Sequence, residues 1–223
     1  MWNAVGQVLP AAVGVALSPI PIIAVVLMLV TPQGRVNGPM FLVGWLAGLA
    51  IVGTIVLVIA GPSASNSDGS PTTGANWLEV LLGVLLLLVA VRQFKARPHG
   101  DDEPVAPKWM STIDTFTPVK AAGAGAVFAG LNPKNLLLSI SAAATIAQTA
   151  IPGGQQAAAY LVFALIASIG VGAPIVIYFA MGDRAAALLD ELKEWMARNN
   201  AVIMSVLCLV IGAKLIGQGM AGF

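Results

Sequence analysis

The amino-acid sequence predicts an all-α integral membrane protein: six transmembrane helices as two inverted three-helix repeats, with helices 1 and 4 broken by proline. Three observations carry that expectation. Of 223 residues, 58% are hydrophobic and only 9% charged, against roughly 25% charged in an ordinary soluble domain. Several apolar runs reach about 20 residues, the length a helix needs to cross a hydrocarbon core of about 30 Å. Two proline-containing octapeptides, "ALSPIPII" at 16–23 and "GLNPKNLL" at 130–137, recur in separate runs. The runs are continuously apolar instead of alternating, which favours helices over a barrel.

The spans are expected near 5–30, 39–60, 77–92, 119–147, 157–181 and 200–217. The first begins "MWNAVGQVLP", without the basic n-region of a cleaved signal peptide, and is therefore expected to be retained. Midway along it lie Ser18, Pro19 and Pro21. Each proline removes a backbone donor and clashes with the preceding turn, freeing carbonyls that lipid cannot satisfy. The second span carries Gly44 and Gly48, a small-xxx-small pair, matched by Ala126 and Gly130 on the fourth. Such pairs let helices approach closely, either within one chain or across a homodimer face, and the sequence leaves both open. The third span holds Glu79 near its outer end, the one acidic residue within the spans.

A mixed-charge stretch with Pro and Gly, "KARPHGDDEPVAPK", divides the chain into a first repeat (1–94), a cytoplasmic linker (95–118) and a second repeat (119–223). The fourth span contains Asn132, Pro133, Lys134 and Asn135. Lys134 lies 14 residues beyond Lys120, about 21 Å along an ideal helix, too deep for its amine to snorkel easily to the nearer surface. A cation there costs about 2.5 to 3.5 kcal/mol on insertion scales. That cost is offset by an anionic group of a substrate, by freed carbonyls together with the Asn132 and Asn135 amides, or by loss of the proton. Ser139 and Ser141, one to two turns further on, are expected to line the same cavity. In the fifth span Ser168 is an ordinary packing hydroxyl, and in the sixth so is the lone Cys208, which rules out an intramolecular disulfide.

The repeat extends beyond the octapeptides. Their superposition sets Leu17 on Leu131, Pro19 on Pro133 and Pro21 on Asn135; "GVLLLLVAVRQF" (83–94) also lies on "SVLCLVIGAKLI" (205–216), with Arg92 on Lys214. Halves of three spans must lie inverted in the membrane, a plan recurrent in secondary transporters that bind substrate where the helix breaks meet. Arg35; Arg92, Lys95, Arg97, Lys108 and Lys120; and Arg184, Lys193 and Arg198 fall in alternate loops, which are expected in the cytoplasm with both chain ends outside. Two cytoplasmic pieces read as interfacial helices: "KWMSTIDTF", through Trp109, Ile113 and Phe116, and "RAAALLDELKEWMARN", with Leu188, Leu189, Leu192, Trp195 and Met196 on one face.

Several function classes are excluded at this stage. The single His99 and the absence of His or Cys clusters argue against an enzyme or a metal site, and no phosphate-binding loop supports an ATP-driven pump. Scarce intramembrane carboxylates argue against transport of hard divalent cations. No cofactor is expected, and a net charge of +1 gives no nucleic-acid surface.

The stretches "ALSPIPIIAVVLMLVTPQGRVNGPMFLVGWLAGLA", "GLNPKNLLLSISAAATIAQ" and "MARNNAVIMSVLCLVIGAKLIGQG" closely resemble the GAP family, the peptidoglycolipid-addressing proteins of actinobacteria, placed in the lysine-exporter transporter superfamily. The resemblance runs over nearly the whole chain. It implies a six-helix protein of the bacterial plasma membrane associated with delivering glycolipids or related envelope components outward. Its two elements correspond here to Ser18, Pro19 and Pro21, and to Asn132, Pro133 and Lys134. Relatives that export amino acids carry Pro-Gly-Pro in the first helix. Here Ile20 stands in the middle, and its bulk suits an apolar cavity wall.

The expected function is therefore export of an amphipathic, anionic envelope lipid or glycolipid precursor by alternating access. Lys134 would hold a phosphate or carboxylate, Asn132 and Asn135 would add hydrogen bonds, and Glu79 would be a coupling residue at one mouth or a plain interfacial carboxylate. Two alternatives stand beside it: export of a small polar metabolite such as an amino acid, and a non-transporting scaffold of an envelope-lipid synthesis complex. The expected partners are membrane lipids and a lipid-like or small-molecule substrate, with a homodimer or such a complex as further assemblies.

Overall fold

The computed structural model describes residues 1–60, 73–96, 112–113 and 115–221. The loop at 61–72 and most of the linker, including His99 and Trp109, lie outside the described residues. All regular structure among the described residues is helical. The chain forms α1 (Trp2–Ala16), α2 (Pro19–Leu29), α3 (Gly34–Ala60), α4 (Thr73–Lys95), α5 (Pro118–Gly130), α6 (Pro133–Gln148), α7 (Gly153–Ala167), α8 (Ile169–Met181) and α9 (Ala185–Ala221), with a 3₁₀ turn at Gly182–Arg184 before the last.

Proline and a capping residue decide where the expected spans break. Ser18 (φ −86°, ψ 105°) precedes Pro19, and Asn132 (φ −65°, ψ 119°) precedes Pro133. Both are extended, as the residue before proline is driven to be, and each proline then occupies the first helical turn, where its missing N–H costs nothing. The two breaks fall in the same column of the repeat alignment. The α1–α2 pair is bent by 51° there.

A third break, at Ser168, divides the expected fifth span into α7 and α8, bent by 53°. The Ser168 hydroxyl donates to Ala164 O at 2.6 Å, a local bond that competes with helix continuation. Gly170 follows, with its backbone against the end of α1: a Cβ there would fall 1.8 Å from Ala16 O. The bend thus brings α8 onto the break in the first span.

The expected surface helix between the fifth and sixth spans is not a separate element. "RAAALLDELKEWMARN" continues without interruption into the last span, forming one 37-residue helix, about 55 Å long. No proline or glycine occurs between Ala185 and Ile211 to stop it. Arg198–Glu194 (3.0 Å) and Lys193–Asp190 ion pairs link successive turns. The expected apolar face is also divided: Leu189 and Met196 are buried, whereas Leu188 and Trp195 are exposed.

Close backbone contacts fix the directions of the helices. α4 and α9 run antiparallel, with Gly83 on Gly212 and Asn76 on Gly219. α3 and α5 run parallel, with Gly44 on Ala122 and Gly48 on Ala126; a Cβ on Gly44 would lie 1.8 Å from Ala122 O. The small-xxx-small pair of α3 therefore packs within the chain. α7 and α8 run antiparallel to α3, with Tyr160 beside Gly53 and Ile175 beside Gly38.

Phe41, Trp45, Leu138 and Phe163 fill the centre, while Ile51, Val58, Val176 and Leu209 face outward. That outward apolar surface is what lipid requires. α3, α4 and α9 are each long and apolar enough to cross a membrane, and the pairs α1–α2 and α7–α8 bring the number to as many as five. α5 and α6, of 13 and 16 residues, are each too short to cross alone.

Candidate functional site: a buried lysine between two broken helices

At the first break the Ser18 amide turns to Val15 O at 3.2 Å. Gly14 O thereby loses the donor that a continuous helix would supply. At the second, Leu131 closes α5 by donating to Val127 O at 2.8 Å, and the next carbonyl, Phe128 O, is reached from α6. Both orphaned carbonyls are filled by consecutive residues of α6: Lys134 Nζ donates to Gly14 O at 2.6 Å, and Asn135 Nδ2 donates to Phe128 O at 3.0 Å. Gly14 and Phe128 occupy one column of the repeat alignment. The two halves of the chain therefore present the same defect, and one helix closes both.

A further bond ties the breaks together. Ser18 Oγ donates to Asn135 Oδ1 at 2.7 Å, while Asn132 Oδ1 caps α6 by accepting from the Lys134 amide at 3.2 Å. Lys134 is 1% exposed and Asn135 fully enclosed. Pro19 and Pro21 are buried in the first turn of α2, whereas Pro133 is exposed and Asn132 half-buried.

The electrostatics follow from the helix ends. α2 and α6 both start here and present the positive ends of their dipoles; α1 and α5 both finish here and present the negative ends. The Lys134 ammonium rests on the last turn of α1, so part of its charge is balanced in this closed arrangement. Two helix starts and a lysine make a field suited to an anion.

The serines beyond Lys134 diverge. Ser139 is enclosed beside the Tyr160 phenol, which donates to Leu49 O at 3.0 Å. Ser141 instead lines a void of about 10 Å³ with Thr145, Gln7, Lys214 and Gln218, room for about one water. That void leads to a second polar cluster. Glu79, 3% exposed, accepts from Thr145 Oγ1 at 3.4 Å and lies beside Gln148 and the charge of Lys214. Lys214 Nζ donates to Gln7 O at 2.6 Å. Glu79 is thus a buried member of a cluster joining α1, α4, α6 and α9.

Sequence reasoning found Lys134, Asn132, Asn135 and Ser18 because polar and helix-breaking residues stand out in an apolar run. It missed the two carbonyls, which every residue possesses, and it assigned Lys214 no place in a site. The signal for Lys214 was its alignment with Arg92 inside an apolar run. The break at Ser168 was signalled by "SIGVGAP", where Gly170, Gly172 and Pro174 follow within six residues.

The arrangement defines a class: a helical membrane protein whose discontinuous helices bring a buried cation to their meeting point. The chain belongs to the family described as "Sap, sulfolipid-1-addressing protein", whose family model matches residues 8–221. This agrees with the resemblance to the addressing-protein family read from the sequence. No curated protein and no solved structure matches the chain.

Proposed function

We propose that the protein is a lipid translocator of the bacterial plasma membrane, moving an anionic lipid outward by alternating access between two inverted halves of three crossings each. The observation that carries this reading is Lys134, enclosed where α2 and α6 both begin. A structural plug needs a donor for Gly14 O, which a neutral side chain supplies at lower cost than a cation. The family description names a sulfolipid, and an acidic lipid is the kind of cargo that the lysine and two helix starts would hold.

The helix directions support six crossings. α7 and α8 follow α3 from Gly53 back to Gly38, about 22 Å along its axis. The segment leading into α5 is held at the start of α3, where Asn37 Nδ2 donates to Phe116 O at 2.8 Å; α6 ends near the start of α4, where Thr145 meets Glu79. α5 and α6 together thus join opposite ends of α3. With the basic loops inside, both chain ends face outward and the Glu79–Lys214 cluster forms the outer seal. The expected cycle opens Lys134 to the inner leaflet, exchanges Gly14 O for the anion, and then parts the outer cluster. No covalent step is assigned to the protein.

Reconstitution into phosphatidylcholine vesicles with a fluorescent sulfated glycolipid tests the proposal, reading the leaflet of the label by membrane-impermeant quenching. Wild type is expected to accelerate exchange between leaflets, and Lys134→Met to return it to the protein-free rate. Exchange by Lys134→Met at the wild-type rate would remove the charge from the mechanism.

A further inference from the structure

A groove of about 390 Å³ lies between α4 and the second break, lined by Leu85, Leu88, Val89 and Arg92 from one side and by Leu131, Pro133, Leu136 and Leu137 from the other. The α4 residues recur at three and four positions, so they form one stripe of that helix. Among the described residues Arg92 is its sole charge, and no carboxylate lines the groove. Arg92 stands three residues before the end of α4 and is exposed. Among the described residues it forms no ion pair. From Arg92 to Leu85 the apolar floor runs about 10 Å along the helix.

We propose that this groove is a lateral binding site for one anionic lipid of the inner leaflet, with the headgroup on Arg92 and an acyl chain along Leu85, Leu88, Leu136 and Leu137. The site is the portal through which cargo reaches Lys134, and in that respect it rests on the translocation reading. Charge complementarity identifies the occupant. A guanidinium at the cytoplasmic end of an intramembrane groove pairs with a phosphate or sulfate in two-pronged geometry, and lipid is the solvent of the apolar floor.

The position of the groove gives it a role beyond anchoring. It ends on Leu131, 69% exposed, and Pro133. These residues flank Asn132 at the discontinuity, and Lys134, the next residue, sits about 100° around α6 from Pro133, with its amine on Gly14 O. A lipid in the groove lies against the first turn of α6, the turn that carries the buried cation. Movement of that turn at its break would join the two.

Native mass spectrometry of the full chain in detergent, titrated with phosphatidylglycerol or phosphatidylcholine of identical acyl chains, tests the site. Wild type is expected to retain phosphatidylglycerol over phosphatidylcholine by roughly fivefold, the preference one surface arginine confers. Arg92→Gln should bring that ratio to about one, and Leu136→Trp, which fills the groove, should reduce retention of both lipids. If Leu136→Trp alters the elution volume on size exclusion, Leu88→Trp fills the groove from an exposed position on the other wall. An undiminished preference in Arg92→Gln would overturn the proposal. The vesicle assay separates the two readings. If Arg92→Gln keeps the lipid preference while Lys134→Met loses translocation, the portal falls and the translocator stands; if Arg92→Gln loses the preference while wild type fails to accelerate exchange between leaflets, the lipid site stands and the translocator falls.

Discussion

Lys134 and Asn135 perform similar bonding tasks at very different cost. Asn135 is neutral and makes bonds on both sides, to Phe128 O and Ser18 Oγ. Replacing it with Leu leaves both partners enclosed without a bond, an expected loss of about 1 to 3 kcal/mol. Ser18→Ala removes only the bond between the breaks and should cost about 0.5 to 1.5 kcal/mol. Thermal unfolding in detergent should show the double variant little worse than Asn135→Leu alone, because the two changes share one interaction. Lys134→Met should behave oppositely: it removes an enclosed cation and leaves one carbonyl unpaired, so the melting temperature should match or exceed wild type while translocation is lost. A fall in stability parallel to the fall in transport would instead make Lys134 a structural plug. These side chains were legible in the sequence because Asn-Pro-Lys-Asn is out of place in an apolar run. Their acceptors were not, since a main-chain carbonyl becomes distinctive only when its helix has lost a turn.

Helix contacts depend on positions that lack a side chain. Gly44 lies directly against Ala122 O, so Gly44→Ala must part α3 from α5, with an expected penalty of about 1 to 3 kcal/mol. Gly123, on the same α5, has nothing within 4 Å of a Cβ, and Gly123→Ala should leave stability unchanged or raise it by up to about 1 kcal/mol through helix propensity. Comparison of the two melting temperatures checks the parallel packing of α3 on α5. Equal effects would refute it. The sequence disclosed the small residues but not their partner helix, because a small-xxx-small pattern fits a neighbour in the same chain as well as one in another. It also anticipated a surface helix where α9 runs straight through. The apolar stripe of 188–196 is real, but the decision between a bend and a continuous rod depends on a breaker, and none stands there.

Across the whole molecule the proposed inverted plan makes a topological prediction. In a Cys208→Ala background, Gly154→Cys at the start of α7 should react with a membrane-impermeant maleimide in intact cells, and Arg35→Cys at the start of α3 only after permeabilisation. Both positions are exposed. Reaction at both sites from outside would overturn the six-crossing arrangement. The two breaks were legible in sequence through the columns that join Pro19 to Pro133, and both fall there. The division of labour between the halves was not, because the columns of Ile20 and Pro21 carry no hydrogen-bonding side chain and everything polar at the junction beyond Ser18 comes from the second half.

The length of α9 has a mechanical consequence. At Gly83 and Gly212 two backbones meet without an intervening side chain, which makes that crossing a natural fulcrum. The rod extends about 34 Å from there to Leu189 and about 13 Å to Ala221. Tilting it as a lever would scale a wide swing of the long arm down to a short displacement near Lys214, with force gained in proportion. A cluster held by a few hydrogen bonds, such as that of Glu79, Thr145, Lys214 and Gln7, is the kind of load such leverage can lift.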